Sequence, residues 1–498
     1  MKKIYQKLND FCGKKWFPLL FVPIAACFLL LYSFSTSPLF LNEGMDSAVF
    51  KTMGLAILKG KVPYVDIFDH KGPILYFINA LGQRLISGDL GILILQVIGL
   101  SVALVFLFKT ARLFVNDALS FLAVMISLYL FGGVIQEGDQ CEEWMMYFFS
   151  VALYYAVSYF VNETDNPHPL KYSILYGFCF GMAFFIRPND AVALFGGIQM
   201  GLFIWLVYKK AYRNAVFNVL CFGVGFLLVA IPVFSYFAYY HAVDDMIYGL
   251  LVFNKTYSGG ASSLLKSVIV GHKYAMALVL FSLALLIWSI EKRQILVLLL
   301  PIMLLEWVLM GTNFFPHYYI VMIPLYLIYI TLAFMKLSNK QQKQFPILSL
   351  AILLMVPCGS GLASLNVFKR HVSYFMHGEN YQRISNFYDE TDALLSNIPD
   401  DEMDSIWNYN LRWTGGDLGN CSAFSVLWRR GIVQCNLITA GTDEVLLKKD
   451  DISAKKPLWV LVDFKWGIDV GSTVIASDYE LVAQTDTSIC IINLYHRK

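Results

Sequence analysis

WFPLLFVPIAACFLLLYSF, residues 16–34, carries no charged side chain and approaches the roughly 20 apolar residues that a helix needs to cross a bilayer. It follows Lys2, Lys3, Lys7, Lys14 and Lys15, a layout that superficially resembles a secretory signal. The apolar run exceeds the roughly 7–15 residues of a signal core, and no small-residue cleavage site follows Ser33, so the stretch reads as a first membrane span. Composition points the same way. Of the 498 residues, 57% are hydrophobic and 15% charged, against about 45–50% apolar in soluble domains. Further apolar runs lie near 90–108, 117–133, 144–161, 171–186, 190–208, 215–238, 273–290, 295–311, 318–335 and 346–364. With the first they make about eleven transmembrane helices, an α-helical polytopic membrane protein.

Lysine and arginine excess marks cytoplasmic loops. With the N-terminus inside, Lys109 and Arg112, then Lys209, Lys210 and Arg213, then Lys292 and Arg293, then Lys336, Lys340 and Lys343 all fall on the cytoplasmic side. The outer face then receives a long first loop, 35–89, and a short acidic loop with Glu137, Asp139, Glu142 and Glu143. It also receives Arg187 to Asp190, residues 239–272 and residues 315–317. After about residue 366 the chain turns polar. A helical stretch near 381–395 and strand-like runs at 405–409, 458–464, 480–484 and 489–494 read as a small extracytoplasmic α/β domain. The expected division is therefore 1–365, the transmembrane module, and 366–498, the outer domain.

The net charge of +2, with no basic stripe, excludes a nucleic-acid partner. Of the nine cysteines, Cys27, Cys179, Cys221 and Cys358 sit in apolar runs as small hydrophobes, and no pair has metal-ligand spacing. Cys421 and Cys435 could pair in an oxidising compartment, which leaves Cys490 over and the connectivity open.

The first loop concentrates the chemistry. Asp46 stands ahead of an apolar stretch, where it can cap a helix or act on a substrate. Tyr64, Asp66, Asp69, His70 and Lys71 precede Gly72-Pro73 and a second amphipathic stretch. Ionisable groups at a membrane boundary form either a solvated rim or a site for a charged substrate. Asp66 and Asp69 could hold a divalent cation, although no ligand spacing argues for a particular metal. Glu306 lies well inside a span, where a carboxylate is costly and is usually paired or faces a cavity.

This order of residues, with Glu143 heading an aromatic span, Arg187-Pro188 closing an outward one and Pro316-His317-Tyr318-Tyr319 opening another, resembles the GT-C glycosyltransferases. It is most similar to the bacterial branch of the dolichyl-phosphate-mannose protein mannosyltransferase family, which includes lipid A aminoarabinose transferases. The resemblance implies transfer of a sugar from a polyprenyl-phosphate carrier to a glycan, lipid or protein acceptor, at an active site facing outward from the bacterial inner membrane. It assigns Asp46 as catalytic base, Glu143 as a second carboxylate, and Lys71, Arg187 and His317 as phosphate contacts. Tyr64, Asp66, Asp69, His70 and Tyr318 complete the expected binding surface. Many relatives carry a second acidic residue directly after the first-loop aspartate, where this chain has Ser47. The main alternative is a transporter or flippase of lipid-linked sugars, which would show repeats and broken midplane helices.

The threading predicts that a cysteine placed near Gly416 reacts with an impermeant thiol reagent in intact cells. Labelling only after permeabilisation would reverse the topology.

Overall fold

The computed structural model describes residues 2–41, 45–135, 137–162, 165–254, 294–309, 316–338, 365, 369, 372, 376, 378–409, 423–435, 452–463, 474–487 and 491–498. With no water in the hydrocarbon, backbone groups must be satisfied within each segment, so apolar runs become helices. Helix α1 (Lys2–Cys12) is amphipathic, and it meets the first apolar segment, a 3-10 turn Phe17–Leu20 continuing into α2 (Phe21–Tyr32), at 88°. It lies across the span direction. Two helices then come from the first loop, α3 (Met45–Leu58) and α4 (Pro73–Leu85), and they pack on each other. Both are too short to span.

The bundle continues with α5 (Asp89–Arg112), α6 (Asp117–Val134), α7 (Cys141–Asn162), α8 (Leu170–Phe184), α9 (Pro188–Tyr208), α10 (Tyr212–Tyr239), α11 (Ile295–Leu309) and α12 (Ile323–Ser338). Helices α5, α6, α7, α9, α10 and the stretch Pro316–Leu337 are each long and apolar enough to cross, whereas α8 and α11 are shorter apolar helices. The chain is a multi-pass membrane protein. The runs near 273–290 and 346–364 lie outside the described residues. Within α9 the stretch Val192–Gly196 is a π-turn. Just below it, a side chain at Gly197 would meet the Ile302 backbone at 2.6 Å, and one at Gly201 would meet the Val297 carbonyl at 2.6 Å, so α9 and α11 touch backbone to backbone.

Among the described residues the polar C-terminal region forms one four-stranded sheet. Strands β1 (Ile406–Tyr409), β2 (Trp459–Asp463), β3 (Tyr479–Asp486) and β4 (Ile491–Arg497) run in the order β1-β2-β4-β3, with the first pair parallel and the others antiparallel. Side chains alternate across β2. Trp459 and Leu461 join a core with Ile384 and Phe387 of α13 (Glu379–Leu395) and Val426 and Leu427 of α14 (Ala423–Arg429), while Val460 and Val462 join Ile475 and Tyr479 on the other face. Phe34 and Phe40, from the segment after α2, sit in the first of these cores. The sheet is thus fastened to the bundle by shared apolar packing.

A polar junction reinforces it. Lys51 of α3 is fully buried; its ammonium bonds the Ser35 carbonyl, pairs with Asp89 and lies 4.8 Å from the Trp428 ring centre. Gln83 closes the triangle, since its amide donates to the Lys51 carbonyl at 2.9 Å and its oxygen accepts from the Trp428 indole at 2.8 Å. Lys51→Met strands a carboxylate and removes the cation from the ring. Breaking a fully enclosed pair costs about 3–5 kcal/mol, and Asp89 is still 28% exposed, so a loss of about 2 kcal/mol is expected. Calorimetry of the detergent-solubilised protein measures it; an unchanged transition would show the junction to be energetically idle.

Candidate functional site

The loop between α3 and α4 is held by its own tyrosines. Tyr64, left-handed at φ 70, donates its hydroxyl to the Lys71 carbonyl at 2.6 Å. The Tyr76 hydroxyl lies 2.8 Å from Asp69 Oδ2 and 2.9 Å from the same carbonyl. Asn254 donates to the His70 carbonyl at 2.8 Å. These bonds set three consecutive ionisable side chains in a fixed order. His70 Nδ1 faces Asp69 Oδ1 at 3.4 Å, and Lys71 Nζ lies 3.1 Å from His70 Nε2.

Burial, followed by the nearby Lys71, pushes the His70 imidazole below its ordinary value, against the pull of Asp69 and Asp46. A neutral ring then accepts from the Lys71 ammonium at Nε2. Burial also opposes the charge on Lys71, but Cys141, Tyr318 and Asp46 outweigh it, and the ammonium is held above its usual range.

Gly72 sets the depth of this loop. Its N–H donates to the Ile186 carbonyl at 2.9 Å and the Ile74 N–H to the Phe185 carbonyl at 3.0 Å, so the chain lies directly against the turn that follows α8. A Cβ on Gly72 would fall 2.0 Å from the Phe185 carbonyl oxygen. Arg187 follows immediately. Its guanidinium pairs with Glu142, reaches Asp190 at 3.3 Å and stacks 4.1 Å from the centre of the Tyr318 ring. His317 is buried with its ring 4.7 Å from that of Tyr318, within electrostatic reach of Arg187 and Lys71. Glu306 of α11 is fully buried within reach of Arg187 and Asp190, and neither of its carboxylate oxygens finds a hydrogen bond among the described residues.

Asp46, in the first turn of α3, is half-buried and shares the electrostatic field of Lys71, Asp69, His70 and Arg187. Among the described residues it accepts no side-chain or capping hydrogen bond. Burial first, and Asp69 in addition, raises its carboxyl above the ordinary aspartate range, while Lys71, His70 and Arg187 pull it down.

The neighbouring Ser47 explains itself in three dimensions. Its hydroxyl donates to Asp139 Oδ2 at 3.0 Å; Trp144 Nε1 and Asn79 Nδ2 donate to Asp139 Oδ1 at 2.9 and 3.3 Å. Where the resemblance leads one to expect a second acidic residue beside Asp46, a carboxylate arrives from the loop before α7. Burial raises Asp139 to about 6 even though Trp144, Lys51, Ser47 and Asn79 favour its ionised form. Glu143 lies behind it, accepting from the Asp139 N–H at 2.8 Å, from Gln96 at 2.9 Å and from the Tyr147 hydroxyl.

Of the residues expected from sequence, Asp46, Asp69, His70, Lys71, Arg187, His317 and Tyr318 share one electrostatic cluster, with Tyr64 bracing it. Asp66 does not join them: it is exposed and accepts from the Val62 N–H at 2.7 Å, closing its own turn. Among the described residues no group of three His, Cys, Asp or Glu side chains is arranged to hold a metal ion. Sequence reading placed Asp139 in the acidic loop without assigning it a role. Its signal was the left-handed Gly138-Asp139 turn (φ 80 and 55), which sequence marks only as a glycine beside an aspartate.

Residues 21–347 match the competence-induced Ccs4 N-terminal domain family. The chain belongs to that family. Its fold is similar to that of ArnT from Cupriavidus metallidurans bound to undecaprenyl phosphate, with TM-score 0.57, 10% identity, and coverage of 96% of this chain and 97% of that one. ArnT in the apo state gives TM-score 0.52 at 11% identity over the same shares. The apo oligosaccharyltransferase of Archaeoglobus fulgidus gives TM-score 0.47 at 11% identity, over 90% of this chain and 70% of that one. No curated protein matches the sequence. The described architecture, a helical membrane bundle carrying a small C-terminal sheet, is similar to that of ArnT.

Gly72→Ala should destabilise the protein by about 2 kcal/mol or more, since the obstacle is backbone and overpacking of that kind costs roughly 1–3 kcal/mol. Gly223→Ala, where none of the described residues lies within 4 Å of the added carbon, serves as the control. Thermal unfolding in detergent compares them, and equal midpoints would remove the close approach from the account.

Proposed function

We propose that this protein transfers a sugar from a polyprenyl-phosphate carrier to a glycan, lipid or protein acceptor, with inversion, on the extracytoplasmic side of the bacterial inner membrane. Residues 1–365 are the catalytic module in this reading, and 366–498 the outer domain. One observation carries it. Asp46 is a half-buried carboxylate that makes no hydrogen bond among the described residues, in the same field as the half-buried Lys71 cation, while Asp139 and Glu143 are occupied by fixed donors. The similarity of the fold to ArnT bound to undecaprenyl phosphate supports the choice of donor.

A glycosyl phosphate already carries a good leaving group. Transfer needs a base for the acceptor hydroxyl and cations for the phosphate oxygens as negative charge collects there. Asp46 takes the hydroxyl proton as the acceptor oxygen bonds to the anomeric carbon. The bond from that carbon to the carrier phosphate breaks with its electron pair, which Lys71 stabilises. Arg187, already paired with Glu142 and Asp190, lends a weaker field and orients Tyr318. Glu143 acts through Asp139, whose N–H it holds.

The sign of the pH dependence follows from Asp46. A base must be deprotonated, and its carboxyl lies above the ordinary aspartate range. The rate therefore falls on the acid side at a higher pH than an exposed aspartate would give. Burial and Lys71 hold the neighbouring His70 imidazole below its usual value.

Asp46→Asn should reduce transfer on the order of 10²- to 10⁴-fold while donor binding survives. Lys71→Ala should weaken donor binding about ten-fold or more, the value of a hydrogen bond to a charged group. Both are read from binding and transfer assays with polyprenyl-phosphate sugars, after mass spectrometry of envelope glycans with and without the gene has identified the sugar and acceptor. Donor binding without transfer in the wild type would favour a transporter or flippase. Near-normal transfer by Asp46→Asn would remove it as the base.

A further inference from the structure

At the end of α9 away from Arg187, the chain turns through Lys209, Lys210 and Ala211 into α10. This turn borders an open groove of about 580 Å³ lined by Leu170, Lys210, Ala211, Tyr212, Arg213, Asn214 and Phe217. One whole membrane-crossing helix separates it from the site described above. We propose that this groove binds the anionic headgroup of a membrane phospholipid on the cytoplasmic face.

The charge is there and is not spent internally. Lys209 is engaged, 3.3 Å from Asp165 and 5.2 Å from the centre of the Trp205 ring. Lys210 and Arg213, which line the groove, pair with no carboxylate among the described residues. Arg213 rests over the Phe217 ring at 5.6 Å, with its guanidinium at the groove wall. Lys210 adopts φ 57, a left-handed conformation that glycine or asparagine takes at lower cost.

The floor is rigid. Asn214 clamps the His168 backbone from both sides, accepting from its N–H at 2.9 Å and donating to its carbonyl at 3.1 Å. Beneath, Asn218 Oδ1 meets His168 Nδ1 at 2.7 Å and the Ser173 hydroxyl at 2.6 Å, and His168 Nε2 faces the Tyr176 hydroxyl at 3.3 Å. The imidazole contributes no charge, since burial lowers it to about 4. A buried, mutually satisfied polar network fixes geometry, and here it fixes the wall under the two cations that line the groove.

The occupant is a lipid because of what lies beside the charge. Below Arg213 the exposed face of α10 presents Val216, Leu220, Val224, Leu227 and Ile231 at helical spacing, each about half exposed or more. Tyr208 and Tyr212 stand at the rim, the interfacial position of aromatic side chains. A phosphate held by Lys210 and Arg213 would place its acyl chains along that stripe. Basic pockets between helices on the cytoplasmic side suit anionic headgroups, each charge adding about five-fold in affinity.

The test uses the full-length protein in neutral detergent, titrated with phosphatidylglycerol or phosphatidylcholine and read by native mass spectrometry. Retention of phosphatidylglycerol alone is expected. The doubly substituted Lys210→Gln, Arg213→Gln protein should bind it about 25-fold more weakly. Lys171→Gln, which neutralises an exposed lysine beside the groove but not lining it, should change binding less than two-fold. Equal loss from Lys171→Gln would reveal a diffuse basic surface and overturn the proposal, as would unaltered binding in the double variant. Displacement by excess inorganic phosphate would make it a free-anion site and overturn it too. Should the double variant not fold, wild-type protein decides: raising salt until the Debye length is about 3 Å must release the lipid, and persistent binding refutes the assignment.

Discussion

A carboxylate taken out of water must find donors, and the arrangement of the candidate site follows from how Asp139 finds them. Burial of an ionised oxygen without partners is costly enough that the group takes up a proton instead. Asp139 collects donors from Ser47 on α3, Asn79 on α4 and Trp144 on α7. The two helices of the first loop and the later α7 are thereby brought to one point. Ser47 is the residue after Asp46, so the bond that satisfies Asp139 also fixes the direction from which Asp46 enters the site.

The second constraint is covalent and steric. Lys71 reaches the same field because Gly72 permits the loop to lie against the backbone at Phe185 and Ile186. The next residue, Arg187, then arrives without a search. The cation from the first loop and the guanidinium from the α8–α9 connection are neighbours through main-chain contact, and Glu142 and Asp190 compensate the arginine. Lys71 is left as the less heavily neutralised cation.

Much of the architecture was legible because span length and strand alternation are local properties. The apolar run near 90–108 is the core of Asp89–Arg112, and the run near 117–133 that of Asp117–Val134. The strand-like stretch at 458–464 is Trp459–Asp463. The crosswise set of α1 was not legible, since the same lysines suit a flank or an interfacial helix. Within the site, the loop Asp69-His70-Lys71 stood out because ionisable residues cluster there. Asp139 did not, since its donors lie 92, 60 and 5 residues away. Lys51 carried a signal that the sequence reading did not take up: a lysine within the apolar stretch 48–58 needs a buried partner, and it has Asp89, with Trp428 stacked over it.

The π-turn at Val192–Gly196 bears on how such a site can change over time. A π-turn holds one residue more than the α-helical turn it replaces, and each residue of helix advances the side chains by about 100°. Below the turn, Gly197 and Gly201 lock α9 to α11; above it stand Arg187 and Asp190. Both flanks are anchored, the lower by the glycine contact and the upper by the Ile186 backbone and the Arg187–Glu142 pair. The extra residue is therefore stored in the wide turn, and a lineage that lost its codon would close the stretch to an ordinary α-turn with the charged end and the glycine contact both left in register.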